Sequence, residues 1–151
     1  MGVMDRMAMP PEVLSRDGVV IRLGDHLEPQ APTYVPTLRY TIEAAGKAVG
    51  EVRVRLGDSD DLKRHFGQIG YAVYPAFRGR GHASSACRLA LQVMRDLGYV
   101  EAWITCNPEN RASHRVCEKV GAQLVETIDI PVNHVMYEHG ILQKCRYRVM
   151  L

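Results

Sequence analysis

Val73-Tyr74-Pro75-Ala76-Phe77-Arg78-Gly79-Arg80-Gly81-His82-Ala83 lies between two segments of different period. Before it, Ile69 to Tyr74 is a largely apolar run stopped by Pro75, which predicts a strand. After it, Ala83, Ala86/Cys87, Ala90, Val93/Met94 and Leu97 recur every three to four residues up to Gly98, which predicts a helix with a glycine terminator. A strand, a glycine-rich loop and a helix start make one concave point at which backbone N–H groups converge. Gly79 and Gly81 let the main chain approach an anion without Cβ interference. The unpaired donors and dipole of the first helical turn face that anion, and Arg78 and Arg80 add charge. The expectation is an anion site. The two glycines alone would equally serve a tight strand-to-helix turn with solvated arginines. Two nucleotide motifs are excluded, because no Gly-Lys-Ser/Thr ending is present and Ser84 breaks the G-x-G-x-x-G pattern.

Upstream, Leu38, Tyr40 and Ile42 alternate with polar residues, as do Val52, Val54 and Leu56, and Ala45-Gly46-Lys47 between them predicts a hairpin turn. Val19-Val20-Ile21 reads as a further short strand. Residues 1–17, rich in methionine and proline, read as a mobile leader, so a single domain is expected over 18–151. Downstream, Val100 to Cys106 predicts a strand. Asn110 is the expected N-cap of a helix carrying Ala112, Val116 and Val120, and Leu124–Ile130 and Cys145–Leu151 are closing strands around a connection over 131–142. This order predicts an α/β (α+β) fold with one mixed sheet flanked by helices.

The length of 151 residues, 46% of them hydrophobic, allows one real core. A formal charge of +2 is too small an excess to argue for a nucleic-acid partner, and few aromatics interleave Arg53, Arg55, Lys63 and Arg64. No apolar run reaches the length of a membrane span. The four cysteines form no C-x-x-C pair, so no metal site and a reduced, cytoplasmic protein are expected.

Val73 to Ala83 resembles the V-x-P-x-x-R-G-x-G-x-A/G signature of the GNAT acetyltransferases. Ile104 to Ser113 with Cys117-Glu118-Lys119-Val120-Gly121-Ala122 is similar to that family's strand, N-x-x-S/A helix and E-K-x-G ending. The resemblance is specific over residues 67–125. It implies a single, mostly antiparallel sheet of six to seven strands and transfer of an acetyl group from acetyl-CoA to a small-molecule or peptide amine by direct attack. It also implies that backbone groups of Ala72, Val73 and Tyr74 pair with the pantetheine arm. Arg78, Gly79, Arg80, Gly81, His82, Ala83 and Ser84 would then hold the pyrophosphate, and Asn110 and Ser113 would contact the cofactor from the second helix.

The sequence departs from the family at the catalytic positions. Cys117 stands where many members place a tyrosine acid, and Gly67-Gln68 where some place a glutamate base. Glu51, His65 and His134, with Glu138 and His139, are the candidate bases, and Cys117 the candidate acid. The segment Leu23–Thr37 holds Pro29, Pro32 and Pro36, which disfavours the helices that usually wall the acceptor site, so that side is open or completed in a homodimer. A CoA-binding sensor or assembly module with little turnover is the alternative.

Overall fold

The hairpin expected from the period-two run is the centre of the larger sheet in the computed structural model, which describes residues 9–29 and 31–151 of the chain. Strands β3 (Thr37–Ala44) and β4 (Lys47–Arg55) pair through Ala45 and Gly46, whose φ angles of 50° and 76° suit the natural twist of a hairpin. Leu38, Tyr40, Ile42, Val52 and Val54 are all at most 1% exposed, so alternation predicted the buried face correctly.

Strands β1 (Val13–Arg16) and β2 (Val19–Leu27) extend this sheet on one side and β5 (Ile69–Val73) closes the other, in the order β1-β2-β3-β4-β5. Strand β1 corrects the leader expected over 1–17. Val13–Arg16 pair with Val19–Arg22 and Leu14 points inward at 8% exposure, while residues 1–8 lie outside the described residues. A second sheet holds β6 (Glu101–Cys106), β7 (Gln123–Asp129) and β8 (Gln143–Met150) in the order β6-β8-β7. The described residues therefore form eight strands in two sheets, with every pairing antiparallel, rather than one mixed sheet of six to seven strands.

Gln68 is the point at which the two sheets stay joined. It is 1% exposed, and its backbone N–H donates to the Trp103 carbonyl at 2.8 Å. Its side-chain Nε2 donates to Gly57 O and its Oε1 accepts from Trp103 N–H, each at 2.8 Å. A buried amide satisfied on both ends substitutes for a ladder at that point. Past this joint the walls stand apart, and a cleft opens between Ile69–Val73 and Ile104–Asn107.

Helix α1 (His82–Asp96) packs on the larger sheet through Ala86, Cys87, Ala90, Val93 and Met94, all at 0% exposure. Each of the larger of these side chains contributes about 1.5–3 kcal/mol by burial. Helix α2 (Arg111–Lys119) packs against α1 and β6, and a one-turn helix α3 (Val135–Glu138) occupies the late connection. A π-helical turn, Leu62–Phe66, is fastened to the second sheet by Arg146, which donates to Lys63 O at 3.4 Å, pairs with Glu126 and stacks 4.1 Å from the Trp103 ring centroid. Among the described residues no helix is long and apolar enough to cross a membrane.

Candidate active site

The cleft between the two sheets has a volume of about 870 Å³ and is walled by β5, the glycine loop, the starts of α1 and α2, the end of β6, and Met136 and Lys144. One end is built by the loop. Gly79 and Gly81 have φ angles of 80° and 79°, a region L side chains avoid, and no atom lies within 4 Å of the position a Cβ would take at either. Gly81 is the N-cap of α1 and supplies no side-chain acceptor. The six consecutive N–H groups from Gly79 to Ser84 consequently have no partner among the described residues; the next, Ser85 N–H, donates to Gly81 O at 3.2 Å. Unpaired donors at a helix start, with the helix dipole behind them, are an anion cradle.

Strand β5 forms the middle of the cleft. Arg55 N–H donates to Gln68 O and Tyr74 N–H donates to Val49 O, which sets the phase of the β4–β5 ladder. In an antiparallel ladder bonding alternates, so Gly70 and Ala72 also turn to β4 while Ile69, Tyr71 and Val73 turn to the open edge. This corrects the expected set. Tyr74 has both backbone groups engaged, its carbonyl accepting from Phe77 N–H, and Ala72 faces the sheet. Val73 remains through its N–H, its carbonyl accepting from Arg78 Nε, and Tyr71 joins it. Gly50 lets β5 approach: a Cβ there would lie 2.2 Å from Ala72 O.

The predicted cofactor residues Ala72, Val73, Arg78, Gly79, Gly81, His82, Ala83, Ser84, Asn110 and Ser113 all line the cleft, whereas Tyr74 and Arg80 do not. Arg78 is folded back, its Nε donating to Val73 O at 2.9 Å. Asn110 caps α2 as expected, its Oδ1 accepting from Ser113 N–H at 3.1 Å. Sequence reasoning missed Arg55, Phe66, Thr105, Cys106, Met136 and Lys144 as wall residues. It also missed Asn107, whose buried Oδ1 has no partner among the described residues.

The candidate catalytic residues fare differently. Glu51 lies off the cleft in ion pairs with Arg39 at 3.4 Å and Arg53 at 3.2 Å. His65 and His134 also lie off it, with His65 Nδ1 at 2.6 Å and His134 Nε2 at 2.7 Å from the same Asp61 Oδ1. His134 Nδ1 accepts from Met136 N–H at 3.0 Å, so its proton is on Nε2 and is donated to Asp61. These three side chains have metal-ligand spacing, within 4.8 Å, but a metal-bound imidazole donates from its second nitrogen and this one accepts. Glu138 and His139 stand on and just after α3, outside the cleft wall.

Cys117 is 0% exposed, and Tyr71 stands between it and the cleft. The Tyr71 hydroxyl lies 2.8 Å from Ser113 Oγ and 3.9 Å from Cys117 Sγ. Burial, with Cys117 and Cys87 nearby, holds the Tyr71 phenol well above its usual range. The hydrogen bond with Cys106 and burial likewise raise the Cys117 thiol. Both are protonated at neutral pH, and only Tyr71 reaches the cleft.

Residues 3–123 match the family described as acetyltransferase (GNAT) domain. No curated protein matches the chain. Among solved structures, a ribosomal L7/L12 α-N-protein acetyltransferase RimL, in complex with coenzyme A, is similar with a TM-score of 0.67 and 14% identity, covering 93% of this chain and 98% of that one. The microcin C7 self-immunity acetyltransferase MccE, in complex with acetyl-CoA and AMP, gives 0.58 and 20% identity over 76% of this chain and 61% of that one. A GNAT-family acetyltransferase from Bacillus anthracis gives 0.57 and 19% identity over 74% and 65%. The chain thus spans less than two thirds of the length of the last two, and at these identities the likeness concerns the fold. With four fifths of the sequence matched, the strand–loop–helix cradle and the cleft beside it belong to a member of the GNAT acetyltransferase domain family.

Proposed function

We propose that this chain is an acyltransferase that moves the acetyl group of acetyl-CoA to a primary amine by direct attack. The observation that carries this reading is the run of six unpaired N–H groups, Gly79 to Ser84, all but that of Arg80 from residues that line the same cleft as the free edge of β5. The loop donors and Arg78 hold the pyrophosphate, while the edge-facing groups of Tyr71 align the pantetheine arm as an added strand would be aligned and leave Val73 N–H to the thioester. Asn110 and Ser113 close that wall from α2.

The amine lone pair forms the new C–N bond at the thioester carbon, and the C–S bond then breaks. Val73 N–H, fixed at the open edge, stabilises the developing oxyanion without reorganising. Tyr71, held protonated by its burial, stabilises the leaving thiolate by a hydrogen bond from its hydroxyl, in the place the sequence suggests for Cys117. Among the described residues no Asp or Glu lines the cleft, so the amine proton leaves to water or to a wall side chain of another kind, His82 or Cys106. That absence also favours a second reading, a CoA-binding module with little turnover, which slow transfer to every amine with intact cofactor affinity would identify. Four unpaired, buried cysteines fit a cytoplasmic location.

Gly81→Glu tests the reading. A carboxylate in the cradle opposes the pyrophosphate by charge and volume, so acetyl-CoA binding should be lost while the circular dichroism of the fold is retained. An unchanged affinity refutes the assignment of the loop.

A further inference from the structure

We infer that the end of the cleft opposite the loop binds an anionic group on the acceptor, a carboxylate or phosphate placed near the amine, through Arg55 and Lys144. This rests on the reading of the cleft as an acetyltransferase site and names the substrate class. Arg55 lies over Gly70, at the far end of β5 from the loop: its Nη2 is 2.7 Å from where a Gly70 Cβ would be. Gly70 and Val73 are three residues apart, about 10 Å along the strand, so this cation is remote from the pyrophosphate cradle. Arg55 Nη1 donates to Phe66 O at 3.2 Å and to Gly67 O at 3.1 Å, which fixes the guanidinium and leaves Nε and Nη2 to be engaged.

Lys144 reaches the same end from β8 and makes no hydrogen bond or ion pair among the described residues. Burial, and the repulsion of Arg53 for Arg55 and of Arg55 for Lys144, lower both cations below their usual ranges. Cys106 on the same wall, its thiol drawn down to about 6 chiefly by its hydrogen bond with Cys117, and then Glu109 favour the charged Lys144, and neither is hydrogen-bonded to it. Two like charges brought together in a partly dry cleft with no carboxylate on its walls, and one thiol, that of Cys106, to offset them, cost free energy, and an anion that bridges them removes that cost. A polyamine, by contrast, would bring more positive charge to this wall.

The test titrates matched pairs into the protein, glycine against glycinamide and O-phosphoethanolamine against ethanolamine, with acetyl-CoA titrated separately. Because the loop end also accepts anions, the readout is the difference between the wild type and Lys144→Gln. The wild type should bind the anionic member of at least one pair about tenfold more tightly or better. Lys144→Gln should lose that preference, Lys144→Arg should keep it, and both should hold acetyl-CoA as the wild type does. The carboxylate and phosphate arms separate the two sources of charge. No preference in the wild type, an unchanged preference in Lys144→Gln, or an equal loss of acetyl-CoA affinity overturns the inference. Failure of acetyl-CoA to bind while the anion preference survives sinks the enzymatic reading instead.

Discussion

Gly50 belongs to no motif, yet the structure makes it a determinant of the cleft. A Cβ on residue 50 would sit 2.2 Å from Ala72 O and 2.9 Å from Val73 Cα, both backbone atoms of β5. Reaching the shortest contact that real side chains show requires β4 and β5 to part by about 0.8 Å. The neighbouring bond from Tyr74 N–H to Val49 O, now 2.8 Å, would stretch to about 3.6 Å and cease to count. Overpacking and one lost bond together put Gly50→Ala at about 2–4 kcal/mol. For a chain of this length that lowers Tm by roughly 5–15 °C. Acetyl-CoA affinity should fall several-fold as well, because the displaced residue is the edge-facing Val73. Urea denaturation and a cofactor titration read the two effects. Gly140→Ala is the control, since its φ of 84° imposes strain with no atom within 4 Å of the new Cβ and no place on the cleft. A Gly50→Ala protein within about 0.5 kcal/mol of the wild type, with unchanged affinity, would refute the close approach.

Tyr71→Phe removes the proposed hydrogen-bond donor and one bond to Ser113, so kcat should fall by roughly 10²–10³ with little change in KM; a fall under about threefold rejects the role. Asn110→Ala deletes the cap of α2 and should cost about 1 kcal/mol of stability in denaturation. Burial pushes the Asp61 carboxyl up, but hydrogen bonds from His65 and His134 outweigh it and hold it below the usual carboxylate range. A depressed folded pKa gives stability that is present above the unfolded value and lost as pH falls through the folded one. Asp61→Asn should therefore be less stable than the wild type at pH 7, by well under about 1 kcal/mol because Asp61 is half exposed. That gap should close in acid. A gap that persists unchanged to pH 2 rejects the coupling.

Local periodicity showed most of the elements, and long-range contacts decided the rest. The three-to-four spacing from Ala83 to Leu97 gave α1 because one stripe of that helix alone meets the sheet. Strand β1 has a single inward residue, Leu14, so no alternation marked it. The apolar run that predicts strand β2 ends at Ile21, whereas the strand continues to Leu27 through a register shift at Gly24 that interrupts the period. The joint between the two sheets rests on the Gln68 side chain meeting Gly57 and Trp103, partners distant in sequence. At the site, the loop was legible because its chemistry is contiguous. Arg55, Cys106, Met136 and Lys144 come from separate elements, and no spacing rule joins them. Tyr71 was visible as a strand residue, but its hydroxyl's meeting with Ser113 and Cys117 depends on how α2 packs.

A calorimetric titration of acetyl-CoA into the wild type and Gly81→Glu measures whether the Gly79–Ser84 donors hold the cofactor in the cleft. The account predicts saturable, one-site binding to the wild type, retained with free CoA and lost in the variant. Absence of binding to every CoA species, or equal binding by both proteins, would contradict it.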